Sequence, residues 1–524
     1  MILVAVALHA PVCVLARHGD TAPHRGVYEI EFKSKLGERN PYFDVDLRVL
    51  FVRPDQTRVT VDGFYDGDGT FKARAYCDTQ GLWRWRSASN VSELDGRAGE
   101  FRVVASELPG KLRKHPADSR QFAYDNGRWF LHIGDTGYRF VTETEPKWKE
   151  YIDQAAEAGF TKIRTWFCQA RSDVQILFED DRAGMNLAYW QEIDRRLQYA
   201  MDNHPHIIFQ LIPYGEDTAE IARYGQGDRA SVFAGRYAQA RFSAFPNIYW
   251  CLTNDRNIIS RKPMRGRDTS PYVINKMGMD FYRREPWGTL ITNHQRRFQG
   301  YSFVNEPWSD IITIEDLDEV AGGVILHFRQ LGDDPVINDE DRYELYREPA
   351  HPRYFFRRLM WSSLFSGGAT TYGGLKTYEP YDGDLRGVQG YADAVKAGKL
   401  VGGAQDFRHI HTFFEETGLT LVQMEPADAM VGYQPHCFKC IQDEERILVY
   451  LQNPDALEPQ KANVAKTQAT VEILLPLNAY TVRWYQPTSG QWVEDAEVRE
   501  ITGQGKCRVT APFAGDAVLY LKRR

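Results

Sequence analysis

Between residues 129 and 374 the chain repeats one pattern eight times: a short apolar run, then an amphipathic stretch of helix length. The runs are Trp129–Thr136, Thr161–Phe167, Ile207–Pro213, Ile248–Asp255, Thr289–His294, Asp310–Glu315, Pro335–Glu340 and Gly368–Gly374, one about every 34 residues. Near-continuous apolar runs of this length are strands buried on both faces, and the helical stretch between them is the crossover a parallel sheet requires. Eight such units in roughly 250 residues predict a (β/α)8 TIM barrel. A doubly wound open sheet is the rival. It needs no closure at eight, and the Gly-rich nucleotide loop expected after its first strand is missing. The helical stretches carry their own signals. Glu145–Ala158 puts Trp148, Tyr151, Ile152 and Ala155 on one stripe and is ended by Gly159. Leu187–Met201 and Ser231–Phe245 behave likewise.

The flanks have a different period. From Val27 to Ser87, polar and apolar residues alternate in short segments separated by turn signals such as Asp66-Gly67-Asp68-Gly69. Past residue 415 the alternation returns, as in Arg446–Leu451 and Tyr480–Tyr485. Period two with one buried face is a β-sandwich signature. The expected organisation is therefore a leader over residues 1–25, an N-terminal β-sandwich over 26–106, a catalytic barrel over 116–412 and a C-terminal β-sandwich over 415–524. The pair Asp66 and Asp68 lacks the remaining ligands of a calcium loop and reads as a tight turn.

Several classes are disfavoured. A net charge of −7 argues against nucleic acid as the partner, and beyond the extreme N-terminus no apolar run is long enough to span a membrane. Residues 1–16 have a secretory h-region but no basic n-region and no clean cleavage site, so secreted, periplasmic and cytoplasmic locations are all compatible. Seven scattered Cys do not form a disulfide framework, and Cys437-Phe-Lys-Cys440 has no second pair to make a zinc site. It reads as an incidental thiol pair or one local disulfide. Oligomeric state is left open.

In a parallel barrel, reactive side chains come from the C-terminal ends of strands. Those ends carry Asp135 and Thr136; Trp166 and Gln169; Tyr214, Glu216 and Asp217; Asn254, Asp255 and Arg256; Asn293 and His294; Glu315 and Asp316; Asn338, Asp339 and Glu340; and Tyr372. This ring holds carboxylates, amides and aromatics, with neither a Cys cluster nor a serine nucleophile elbow. It suits two-carboxylate glycoside hydrolysis, in which one carboxyl protonates the leaving oxygen and the other attacks the anomeric carbon or activates water. Asp255 and Glu340 end strands four and seven, 85 residues apart. Each has a plainer reading: Asp255 as a helix cap, Glu340 as part of a solvated acidic loop beside Arg342. Asp135 reads as a turn or ligand-positioning residue and His294 as a hydrogen-bonding wall residue. With one His among the strand ends, no metal or other cofactor is expected. Arg164 points into the barrel and must be paired, with Glu340 or Asp135, keeping that carboxylate ionised. Arg164, Arg256 and the Arg296–Arg297 pair either bind an acidic sugar or balance the carboxylates. Tyr138, Trp166, Tyr214, Trp308 and Tyr372 complete the expected carbohydrate-binding wall, and an inactive barrel that only binds carbohydrate would keep the same aromatics.

At these residues the chain resembles the apiosidase-like glycoside hydrolases. Strand one carries a Gly-Asp-Thr element at Gly134–Thr136, strand seven has Pro335-Val-Ile-Asn-Asp-Glu340 followed by Tyr343-Glu344, and strand eight runs from Trp361 to Tyr372-Gly373. The resemblance implies a retaining glycosidase acting on a plant or algal poly- or oligosaccharide, with Asp255 as acid/base and Glu340 as nucleophile. Asn40-Pro-Tyr-Phe-Asp44 and Gly63–Gly67 resemble the sandwich that precedes such barrels. The C-terminal sandwich resembles one labelled collagen-binding in these architectures, which is a label and not a ligand. Two departures stand out: strand four ends Thr-Asn-Asp-Arg where Gly-Gly-Asp or Asn-Glu is more usual, and strand six ends in Glu315 where an amide is common.

Overall fold

The eight apolar runs form a single eight-stranded sheet in the computed structural model, with strand order 5-4-3-2-1-8-7-6 and every pairing parallel. The structure describes residues 15–17, 19–142, 144–166, 177–179, 181–215, 218–260, 265–344, 351–373, 402–457, 464–493 and 500–524. The strand cores are Gly134–Thr136, Lys162–Trp166, Ile208–Ile212, Ile248–Cys251, Ile291–Thr292, Ile312–Glu315, Val336–Glu340 and Ala369–Tyr372. Strands five and six meet at the seam. There the Asp310 N–H donates to the Ile291 carbonyl (2.8 Å), and the Ile291 N–H to Asp310 Oδ2 (2.9 Å). The sheet thereby nearly closes into a barrel.

Parity decides which side chains enter the barrel. Gly134 pairs with Lys162, and Thr136 with Arg164, while Asp135 pairs with Ile163. Lys162, Arg164 and Gln210 point inward, and Asp339 receives Gln210 Nε2 (2.7 Å), Thr371 Oγ1 (2.7 Å) and Lys162 Nζ. This buried polar layer underlies the mouth. At the opposite end the hairpin of Leu112–His115 and Asp118–Tyr124 plugs the barrel, packing Leu112, Phe122 and Tyr124 against Ile208, Ile311 and Ile337.

Outside the sheet, helix Lys147–Glu157 buries the predicted stripe Trp148, Tyr151, Ile152 and Ala155. Each large apolar side chain so buried contributes about 1.5–3 kcal/mol, so Ile152→Ala would loosen the helix from the sheet. Helices Leu187–Asn203 and Arg229–Phe242 occupy the other two expected stretches.

The N-terminal sandwich stacks a four-stranded sheet on a five-stranded one. It begins earlier than the alternation suggests: Leu15–Arg17 joins the first sheet beside Val27–Lys33, and Thr21–Pro23 joins the second beside Ala98–Val104. Both lie in the stretch expected to be leader. They are too short to show a period, which is why alternation alone misses them. After helix Phe407–Thr417, ended by Gly418 in the left-handed conformation, a seven-stranded sheet built on the long strands Gln468–Gln486 and Glu500–Ala514 forms the C-terminal sandwich. Asp68 has a left-handed φ of 48° between Gly67 and Gly69, as a tight turn requires. Cys437 and Cys440 are both free thiols. Among the described residues no helix is long and apolar enough to cross a membrane.

Candidate active site

Strand four leaves the sheet at Cys251 and carries Asn254 and Asp255 over the barrel mouth. The Asn254 N–H is held by the Gly215 carbonyl at 2.9 Å, and Asp255 takes a φ of 48°, a left-handed conformation that Asp tolerates better than bulky residues. Strands five, six and seven bring His294, Glu315 and Glu340 to the same point. One ligand-capable atom from each of Asp255, His294, Glu315 and Glu340 lies within 4.8 Å of the others, and all four residues are buried.

Three guanidiniums surround these carboxylates. Arg267 Nη1 lies 2.5 Å from Asp255 Oδ2, and Arg164 Nη1 lies 2.9 Å from Glu340 Oε2. Arg297 holds Glu315 twice, through its backbone N–H (2.7 Å) and through Nε (2.8 Å). Three cations thus face three carboxylates. The same oxygens would suit a hard cation, but guanidiniums already pair with the three carboxyl groups, and a single imidazole is a poor zinc set.

Burial opposes charge on all three carboxyls, and their neighbours sort them. For Asp255 the desolvation is outweighed by His294, Arg164 and Arg267, which hold it well below the usual carboxylate range. Glu315 is pushed up to about 9 by burial and by Glu340 and Asp255, against the pull of Arg297. Glu340 is also raised, first by burial and then by Asp255; Arg164 does not reverse this. Arg164 does favour the ionised form of its partner, as expected, but desolvation and a second carboxylate pull the other way. The partner is Glu340 and not Asp135.

Two oxygens at this centre have charged neighbours yet no completed hydrogen bond. Asp255 Oδ1 is 3.2 Å from His294 Nδ1, and Glu340 Oε2 faces Arg164, but neither approach is aligned as a hydrogen bond. Such oxygens are open to a donor from outside.

The expected wall divides in two. Tyr138 and Trp166 stack face to face at 3.7 Å, with the Arg164 guanidinium 5.6 Å above Tyr138, and Asn254 accepts from Arg164 Nη2. These stand at the mouth. The others do not. Asp135 faces the helix layer, where Tyr151 OH donates to it at 2.8 Å and burial raises its carboxyl well above the usual range. Tyr372, in register with Asp135, packs between Phe160, Phe356 and Phe407. Tyr214 OH donates to the Ser231 carbonyl (2.7 Å), and Trp308 packs on helix Pro271–Arg284, its Nε1 donating to Asn275 (2.9 Å). Arg256 is spent on the Arg267 carbonyl (3.0 Å) and Thr218. Gln169, Glu216 and Asp217 lie outside the described residues. Arg267 was not among the expected residues; it lies in the excursion after strand four, where spacing carries no signal. Arg297 lay in the pair noted near the mouth, but its bond to Glu315 was not foreseen.

With this geometry in place, comparison with known proteins gives a consistent picture. The family model described as apiosidase-like, catalytic domain, matches residues 116–420, and a domain of unknown function matches residues 23–90. A Bacteroides vulgatus protein assigned as a glycoside hydrolase superposes with a TM-score of 0.77 at 19% identity, covering 97% of this chain and all (100%) of its own. A glycoside hydrolase family 5 structure from the same organism gives 0.61 at 17% identity, over 80% of this chain and 95% of its own. A third structure, named glycoside hydrolase, gives 0.59 at 16% identity, over 80% and 98%. No curated protein matches the chain.

Proposed function

Because the chain belongs to the apiosidase-like family and is a glycosidase, we propose that it cleaves its glycosidic bond with retention, using Glu340 as nucleophile and Asp255 as acid/base, on a plant or algal oligo- or polysaccharide. The observation that carries this reading is the distance: oxygens of Asp255 and Glu340 lie within 4.8 Å of each other. Retaining pairs stand roughly 5–5.5 Å apart, while inverting pairs need roughly 6.5–9.5 Å to admit water.

In the first step Asp255 gives its proton to the glycosidic oxygen as Glu340 attacks the anomeric carbon. The carbon–oxygen bond breaks, the leaving sugar departs neutral, and a glycosyl ester forms on Glu340. In the second step Asp255 takes a proton from water, the water oxygen attacks the same carbon, and Glu340 leaves as carboxylate. The substrate-free site supports Asp255 as the anion and Glu340 as the more basic group. The working state therefore needs one proton moved between carboxyls that are already neighbours. Substrate hydroxyls donating to Glu340 and a leaving oxygen beside Asp255 favour that arrangement, since hydrogen bonds to a charged form stabilise it.

The test is a screen of aryl glycosides and plant and algal oligosaccharides with the wild type, Asp255→Asn and Glu340→Gln. Neither variant should retain more than a few thousandths of the activity. Azide added to Asp255→Gly should yield a glycosyl azide of retained configuration. Product of inverted configuration from the wild type would sink the retaining reading.

A further inference from the structure

The turn Arg296–Gln299 follows strand five and is tied to the carboxylate cluster. The Gln299 N–H donates to the Arg296 carbonyl (3.1 Å), and Arg297 inside the turn is the residue that grips Glu315. Beside it, Phe298 has a φ of 62°, and its N–H reaches the Glu315 carbonyl at 3.3 Å. That left-handed conformation in a turn is a glycine position, because a Cβ crowds the following carbonyl, and a bulky aromatic there is an outlier. The ring is also 71% exposed. A strained backbone that holds a large apolar ring in water is unfavourable twice, and neither feature serves the core.

We propose that Phe298 is the aromatic platform of a sugar subsite flanking the scissile bond, receiving the C–H face of a substrate ring. The electron-rich face of the ring complements the slightly positive C–H hydrogens of a sugar, and stacking removes apolar area of both from water. The turn fixes where the platform stands, because Arg297 and the Phe298 amide both bind the residue that ends strand six. The substrate then has at least two sugar units. This inference rests on the carboxylate cluster being the hydrolytic centre.

Tyr433 supplies the control. It is 75% exposed with a φ of 52°, but it belongs to the C-terminal region, where its N–H caps a turn on the Asp428 carbonyl. The experiment measures kcat and KM of wild type, Phe298→Ala, Phe298→Trp and Tyr433→Ala on the oligosaccharide that the wild type cleaves fastest. Binding of that oligosaccharide to Glu340→Gln, with and without Phe298→Ala, is followed by calorimetry. Phe298→Ala should raise KM and weaken binding about 5- to 50-fold, with kcat within about 3-fold, while Phe298→Trp recovers most of the loss and Tyr433→Ala changes nothing. A Phe298→Ala enzyme within 2-fold of wild type in KM and binding overturns the platform while leaving the catalytic pair standing. A wild type that cleaves nothing in the screen would instead overturn the hydrolytic reading beneath it.

Discussion

Two buried charge clusters in this molecule use the same residue types to opposite ends. Between the N-terminal sandwich and the barrel helices, Arg74 donates from Nε to Glu29 (2.8 Å) and from Nη1 to Asp194 (2.7 Å), while Arg241 binds Asp66 (2.7 Å) and Tyr237 OH (2.9 Å). The carboxylate oxygens there accept aligned bonds, so the cluster fixes two domains together. At the barrel mouth guanidiniums again face carboxyl groups, yet Asp255 Oδ1 and Glu340 Oε2 lie beside cations without an aligned bond. Ion pairing therefore does not separate these two clusters, whereas the satisfaction of their carboxylate oxygens does, Arg241 Nε being the atom left over in the first. Carboxylate oxygens that are satisfied stabilise the fold, and unsatisfied ones at the mouth are open to substrate.

If that distinction holds, substitutions in the two clusters should separate activity from stability. Glu340→Gln should lower kcat/KM by at least about a thousand-fold. Its melting temperature should stay equal or rise, since one of three crowded carboxylates has lost its charge; a large loss of stability would show the mouth to be structural. Arg74→Met should do the reverse. Removing Arg74 leaves Glu29 with Lys72 (3.4 Å) and Asp194 with Arg241, and should cost about 3 kcal/mol in denaturant unfolding, with kcat/KM unchanged wherever the enzyme remains folded. A smaller effect concerns pH. Glu315 is raised in the fold to about 9, so its contribution to stability is complete below the ordinary glutamate value and is lost as pH rises through about 9. The loss has a slope of at most about 1.4 kcal/mol per pH unit. Glu315→Gln should flatten the fall in melting temperature over that window. An unchanged pH dependence would mean that Glu315 is already ionised beside Arg297.

The barrel was readable because its signal repeats eight times, and each run was long enough to outweigh errors at its ends. Asp255, Glu315 and Glu340 were readable for the same reason: they end strands, and strand ends converge. Asp135 and Tyr372 end strands too, yet they face the helices. Only the register, with Asp135 beside Ile163 and Tyr372 beside Asp135, reveals this. Apolar runs buried on both faces have no alternation from which to read parity. Tyr214 and Trp308 were drawn to the site by their chemistry, but large aromatics fill the strand–helix layer just as well. Arg267 could not be read at all. It sits in an irregular excursion, and its position follows from tertiary contacts such as the Arg256 side chain holding its carbonyl at 3.0 Å.

Arg267 also offers the finest test of the cluster at the mouth, because it completes one side of Asp255 and leaves the other open. Its Nη1 is 2.5 Å from Asp255 Oδ2, and its side chain is partly exposed, so solvent screens the pair. It stabilises the anion and so opposes the protonated form that an acid catalyst needs. Removing it should raise the pKa of Asp255, keeping the acid protonated to higher pH. In the substrate-free enzyme, which kcat/KM reports, Asp255 is the more acidic of the pair, so the acid limb of the profile should move upward in Arg267→Gln, by about half to one pH unit. The alkaline limb, set by the more basic Glu340, should move less, because Glu340 is paired with Arg164 and not with Arg267. Arg267→Lys should restore most of the original limb if charge alone matters. Were both limbs to stay in place while KM rose, Arg267 would be a substrate contact, and the proton of Asp255 would be set by His294 and Arg164 alone.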